Sequence, residues 1–188
     1  MEIILTIFMG LGLSAATGFR IFVPFLIISI ASLTGYLNLS ESFRWIGTTP
    51  ALITFSIATI LEIAAYYIPW VDNMLDTIAS PIAVVAGIVL MASVVTGMSP
   101  LLKWSLAIIA GGSISATIQG LTGTTRAASS VTTGGLGNPV LSTMEIGGAI
   151  SMTLLAIFLP IVAIMLVIIL CIWTIKILKK KFFLKQKN

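Results

Sequence analysis

Four ionisable side chains stand within or beside long apolar runs. Glu62 lies inside one, in Ile60-Leu61-Glu62-Ile63-Ala64. Arg20 and Arg126 border others, and Glu145 opens the last. At membrane depth a carboxyl group is costly unless it is protonated, paired or facing water. Guanidinium is a suitable partner, because its fork of donors matches a carboxylate or a phosphate. Two of the four have simpler roles when taken singly. Arg20 can snorkel to lipid headgroups, and Glu145 suits the first turn of a helix, where the dipole favours an acid. Glu62 has no comparable role. The four are therefore expected to converge on one polar site. There Arg20 and Arg126 attract a negative group, and Glu62 and Glu145 balance them or carry a coupling proton.

A second set of candidates comes from residues 122–139, which are rich in glycine and hydroxyl side chains and end in Gly134-Gly135-Leu136-Gly137-Asn138-Pro139. Backbone N–H groups at Gly134 and Gly135 can approach an anion closely, because no Cβ intervenes. Asn138 joins them as a candidate substrate-binding residue. So few apolar side chains suit lipid poorly, and this stretch is expected to be a re-entrant or broken segment, which is tolerated at membrane depth only when buried or lining a wet cavity. An extramembrane loop is the alternative. Gly12-Leu13-Ser14-Ala15-Ala16-Thr17 also resembles Gly112-Ser113-Ile114-Ser115-Ala116-Thr117. Many transporters are built from repeats whose broken helices meet at a central site.

The elements that must position these residues are membrane spans. The chain has 188 residues, 58% of them hydrophobic and only 9% charged. Its mean hydropathy is +1.15. Soluble domains carry about 25% charged residues, so this chain cannot cover a water-facing surface. Six apolar segments fall near 3–19, 21–37, 50–69, 79–98, 101–121 and 145–178. Several exceed the roughly 18 residues that mark a spanning helix, and none alternates as barrel strands do. The fold class expected is all-α, a polytopic membrane protein of about six transmembrane helices. Residues 1–178 form one transmembrane domain, and 179–188 a basic cytoplasmic tail. The last segment would extend about 50 Å as one helix, against a hydrocarbon core near 30 Å, so Pro160 is expected to kink or divide it.

The net charge of +4 reflects that tail, not a nucleic-acid surface. Lys176, Lys179, Lys180, Lys181, Lys185 and Lys187 follow the last apolar run and anchor the C-terminus on the cytoplasmic side. Six spans then put the N-terminus there too, with Arg44 and Lys103 facing the cytoplasm and Asp72 and Asp76 outside. Trp45, Trp104 and Trp173 mark one interface, and Tyr66, Tyr67 and Trp70 the other. The N-terminus lacks the basic region and cleavage site of a signal peptide, so the first helix is read as a retained span. There is no histidine, and Cys171 is the single cysteine. These absences exclude an internal disulfide, a cysteine metal cluster and histidine catalysis.

Taken together, Gly12-Leu-Ser-Ala-Ala-Thr-Gly-Phe-Arg20-Ile-Phe-Val-Pro24, Glu62, Ile68-Pro69-Trp70-Val71-Asp72, Leu75-Asp76, Arg126 through Pro139 and Glu145 carry a likeness. The chain resembles the membrane family labelled domain of unknown function 4126. The likeness runs to about residue 178, and Thr133-Gly-Gly-Leu-Gly-Asn-Pro139 is its most specific part. It implies a small bacterial-type multi-span protein with no assigned activity. Family members often have a histidine and a basic residue after the Leu-Asp element. Thr77-Ile78-Ala79-Ser80-Pro81 stands there instead, so a titrating histidine has no place in the mechanism.

The leading functional expectation is a small transporter or permease in the cell membrane, moving an ion, an anionic solute or a lipid headgroup. The alternatives are a lipid-embedded enzyme built on Glu62, Glu145, Asp72 and Asp76, with or without an oxygen-ligated divalent metal, and a structural or assembly subunit whose small-residue faces at Gly87 or Gly147-Gly148 pack other helices. Transport is preferred to enzymatic activity, and no cofactor is expected. The partners expected are membrane lipids, an anionic small molecule or ion, and a second copy of the chain where one copy is too small to enclose a pathway.

Overall fold

Pro24 explains the first break in the chain. Proline lacks the N–H that a continuous helix would direct to the carbonyl four residues earlier, and its ring crowds that carbonyl. Helix α1 (Glu2–Phe19) therefore ends just before Arg20, and α2 (Phe22–Leu33) starts afresh with Pro24 in its first turn. In the computed structural model, which describes residues 2–68 and 71–185 (without the side chains of 72, 73, 175 and 177–185), a 3-10 segment, Glu41–Gly47, follows. Then come α3 (Thr49–Tyr66) and α4 (Val71–Val94). Next are α5 (Pro100–Leu106), a π-helical stretch at Ala107–Gly111 and α6 (Gly112–Thr133), which run on as one 34-residue helix. The last two helices are α7 (Asn138–Phe158) and α8 (Pro160–Lys185). Thr48 and Ser99 cap α3 and α5, their hydroxyls accepting from Ala51 N and Leu102 N at 3.4 Å, with Pro50 and Pro100 in the opening turns where a missing N–H is harmless.

The protein is an all-α polytopic membrane protein. Among the described residues, five helices are long and apolar enough to cross a bilayer: α1, α3, Met74–Val94 of α4, the Pro100–Thr133 helix and α7. Phe22–Leu33 and Pro160–Thr174 are shorter apolar helices. The segment expected at 145–178 is divided, as anticipated, with Leu159 between α7 and α8. The expected lysine anchor falls mostly on side chains outside the described ones, as do Pro69, Trp70 and the Asp72 side chain.

Residues 122–139 correct the expectation of a re-entrant or broken segment. Thr122 to Thr133 continue α6 as regular helix, and the interruption is confined to a four-residue turn. Hydroxyl side chains do not break this helix because they bond back to it. Thr124, Thr125, Thr132 and Thr133 donate to carbonyls four residues earlier at 2.6–2.9 Å, a local option open to threonine within helices. The turn itself needs glycine: Gly134 and Gly135 have φ of 62° and 88°, the left-handed region that ends many helices.

Helix α1 is the central element, packed against α4, α6, α7 and α8. Its residues Gly12 to Gly18 are all buried. Here the two similar sequence stretches meet face to face. Ser14 Oγ donates to Gly87 O at 2.9 Å, Thr17 and Ser115 hydroxyls lie 2.9 Å apart, and Ser115 Oγ donates to Ala83 O at 2.6 Å. A methyl group on Gly18 would come within 2.5 Å of Ile118 Cβ and 2.8 Å of Ser115 O. Only glycine permits that approach, the usual device of helices packing in lipid. At one end of the bundle the 3-10 segment docks on the α4–α5 turn: Ser40 N donates to Ser93 O at 2.8 Å, and Phe43 packs with Trp104 and beneath Lys103. Arg44 and Lys103 are thus brought to the same end.

Candidate functional site

The charged residues gather where α1 ends, α2 and α4 begin, α3 ends and α6 faces α7. Arg20 occupies the α1–α2 break and Arg126 the inner face of α6. Glu145 lies two turns into α7, below Asn138 and Ser142 on one buried face. The arginines are 1% and 2% exposed. Arg20 Nη2 lies 3.1 Å from Glu145 Oε2, and Arg126 Nη2 pairs with the same oxygen. Arg126 Nε lies 3.6 Å from Asp76 Oδ2. Two guanidiniums thus meet two carboxylates inside a membrane bundle, where charges persist only if paired.

Tyr66 lies against both cations. The guanidinium carbons of Arg20 and Arg126 lie 3.9 and 4.1 Å from the centre of its ring, close enough for the ring quadrupole to stabilise them. Ser142 connects the same elements: its carbonyl accepts from Arg20 Nη2 at 3.4 Å, and its hydroxyl donates to Tyr66 O at 3.4 Å. Nε and Nη1 of Arg20 are buried and have no hydrogen-bond partner among the described residues. Arg20 therefore has donor capacity that its contacts with Glu145 and Ser142 leave unused.

Glu62 is close to this group but engaged differently. Its Oε1 accepts from Ile21 N at 2.8 Å and its Oε2 from Phe22 N at 2.9 Å. Both oxygens cap the opening turn of α2, where free N–H groups and the helix dipole favour an anion. Glu62 thus stands beside Arg20 through the backbone of the two residues that follow it. Arg20 and Arg126 are near enough to feel its charge, yet its hydrogen bonds go to backbone made available by the Pro24 break.

The glycines and Asn138 stand apart from the charges. Gly134 and Gly135 form the α6–α7 turn, with open space where a Cβ would be. Their left-handed φ values make the turn between the two helices. Asn138 Nδ2 donates to Ser130 Oγ at 2.9 Å. That bond ties α7 to α6 roughly two turns beyond the Arg126–Glu145 pair and fastens the hairpin that aligns the pair.

Tyr66 and Asp76 join the cluster without being among the four residues expected to converge. Tyr66 was assigned to an interfacial aromatic belt, but it is 6% exposed and lies inside the cluster. Its position four residues after Glu62 puts both on one helix face, the signal that would have found it. Asp76 was assigned to an exterior loop because helix was expected to start at 79, whereas α4 begins at Val71 and carries Asp76 inward.

Beside the cluster, α2, α3 and α4 enclose a cleft of about 360 Å³. Phe22, Leu61, Ile78 and Ile82 supply apolar walls, and Glu62 and Tyr66 are its polar members. Among the described residues, no three His, Cys, Asp or Glu side chains are grouped to hold a metal ion.

Comparison with known proteins returns a family and no named activity. No curated protein and no solved structure matches the chain. The model of one family matches residues 7–180, nearly the whole sequence, and the chain belongs to it: the family described as Domain of unknown function (DUF4126).

Proposed function

We propose that this protein is a small transporter or permease of the cell membrane, with both termini cytoplasmic, and that it moves an anionic group past Arg20 and Arg126. One observation supports the reading above the rest: two almost fully buried guanidiniums share a single carboxylate oxygen of Glu145. A carboxylate held between two arginines occupies the position that an anionic substrate would take. Substrate entry exchanges one anion for another, so the arginines are never left without a negative partner, and the large desolvation penalty of a bare buried charge is avoided. Glu145 is the resident anion, Asp76 keeps Arg126 placed through the exchange, and Glu62 holds the α2 end that carries Arg20. The meeting of the two similar stretches at α1 and α6, beside a broken helix, fits an architecture that many transporters share.

The experiment is a thermal-stability screen of the purified chain in neutral detergent against phosphate, carboxylates and phosphate monoesters, followed by flux measurements in proteoliposomes. A ligand of the folded state raises the apparent transition by mass action. At least one anion is expected to stabilise the protein and to enter proteoliposomes faster than protein-free vesicles, with both effects lost in Arg20→Gln. Failure of every stabilising anion to move faster than in protein-free vesicles would overturn the reading.

A further inference from the structure

The cleft between α3 and α4 shares a wall with the charged cluster. Tyr66 lines the cleft, and the two guanidiniums lie over its ring. The mouth is formed by Leu61, Ile78 and Ile82, which are 63%, 54% and 44% exposed, apolar side chains on the outer face of spanning helices. Such side chains at a mouth suit acyl chains better than water. A soluble anion gains nothing by entering through such walls, whereas an alkyl chain gains packing against them. At about 360 Å³ the cleft is within the usual size range of small-molecule sites. Another cleft, between α2 and α7, is lined by Thr34, Tyr36 and apolar side chains with no charged group. The first has Glu62 in its lining and both guanidiniums against Tyr66.

We infer that the site takes an amphiphile, a phosphate or carboxylate headgroup carried on an alkyl or prenyl chain. The chain lies in the α3–α4 cleft, and the headgroup meets Arg20 and Arg126. This rests on the anion-transport reading and names its substrate class. Charge complementarity commits the occupant. Glu62, the carboxylate on the cleft wall, spends both oxygens on backbone N–H groups of α2. Arg20 retains buried donors at Nε and Nη1, whose fork geometry suits two oxygens of one headgroup. Tyr66 stands between tail and head, so rotation of its side chain admits the headgroup to the guanidiniums while the tail remains in the cleft.

The test uses the full chain in phosphatidylcholine nanodiscs with dodecyl phosphate bearing a terminal diazirine, and the matching dodecyl alcohol as the neutral control. Photolysis is expected to label the peptides containing Leu61, Ile78 and Ile82, at least about tenfold more with the phosphate than with the alcohol, which corresponds to about 1.4 kcal/mol of headgroup recognition. Ile78→Trp, at an exposed position, is expected to fill the mouth and remove the labelling while leaving the thermal transition in place. Arg20→Gln is expected to reduce phosphate labelling to the alcohol level. Equal labelling by phosphate and alcohol overturns the inference, as does labelling insensitive to Ile78→Trp. If inorganic phosphate crosses proteoliposomes in an Arg20-dependent manner while the cleft is unlabelled, the amphiphile inference fails and anion transport stands. Selective labelling without flux of any anion leaves the site in place and removes transport.

Discussion

Two polar regions lie within this apolar bundle, and they are satisfied in opposite ways. At the α1–α4–α6 crossing, Ser14 and Ser115 donate to carbonyls of α4 and Thr17 to Ser14 O of its own helix, and the Thr17 and Ser115 hydroxyls meet each other, all at 2.6–2.9 Å. Every partner there is neutral, short and close to backbone. In the cluster around Glu145 the partners are long charged side chains from four different elements. Neutral hydroxyls set how closely the helices can approach, and exchanging their partners would require the helices themselves to part. Ion pairs depend on a partner that another anion can replace. The difference shows that polarity in a membrane protein can be structural or exchangeable, and that the type of partner separates the two.

Substitutions can break or sharpen that contrast. The largest effect is expected for Glu145→Ala, which leaves two buried guanidiniums without their shared carboxylate. Removing one member of a buried ion pair costs about 3–5 kcal/mol, so the thermal transition in detergent should fall steeply. An effect no larger than that of a hydroxyl substitution would dissolve the distinction. An intermediate effect is expected for Gly18→Val, because side-chain atoms beyond Cβ would meet Ile118 and the Ser115 carbonyl, already within 2.8 Å of the first methyl position. Overpacking of this kind costs about 1–3 kcal/mol. The loss should appear in the thermal transition equally with and without a stabilising anion, since the crossing takes no part in exchange. The smallest effect is expected for Ser115→Ala. Hydrogen bonds between membrane helices average about 0.6 kcal/mol in double-mutant cycles, so the transition should shift only slightly. A Thr17→Ala, Ser115→Ala cycle would measure the coupling directly, and a coupling above about 1.7 kcal/mol would move this crossing toward the energetic class of the cluster.

Much of the molecule was legible before any coordinates. Composition demanded membrane helices, because 9% charged residues cannot clothe a soluble surface. Pro160 marked a real interruption, since a missing N–H acts locally whatever surrounds it. Arg20, Arg126 and Glu145 announced themselves because an ionisable group beside an apolar run needs a partner. The partners themselves were not local facts. Glu62 was expected beside an arginine, but the N–H groups freed at the α2 start came within reach first. Glycine and hydroxyl richness at 122–139 suggested broken backbone, yet back-bonding threonines accompany a helix that runs to Thr133.

The sequence alone thus determined the class of fold, the helix-breaking Pro160 and three of the residues at the site, because propensity, hydropathy and desolvation are properties of short stretches. Tertiary structure alone decided the rest: Tyr66 against both guanidiniums, Asp76 beside Arg126, Glu62 on the α2 backbone and the cleft beside them. Residues 20, 62, 76, 126 and 145 come from separate elements, and which of them meet depends on how those elements cross. Crossing is governed at positions such as Gly18, where the absence of one methyl group sets the distance between helices.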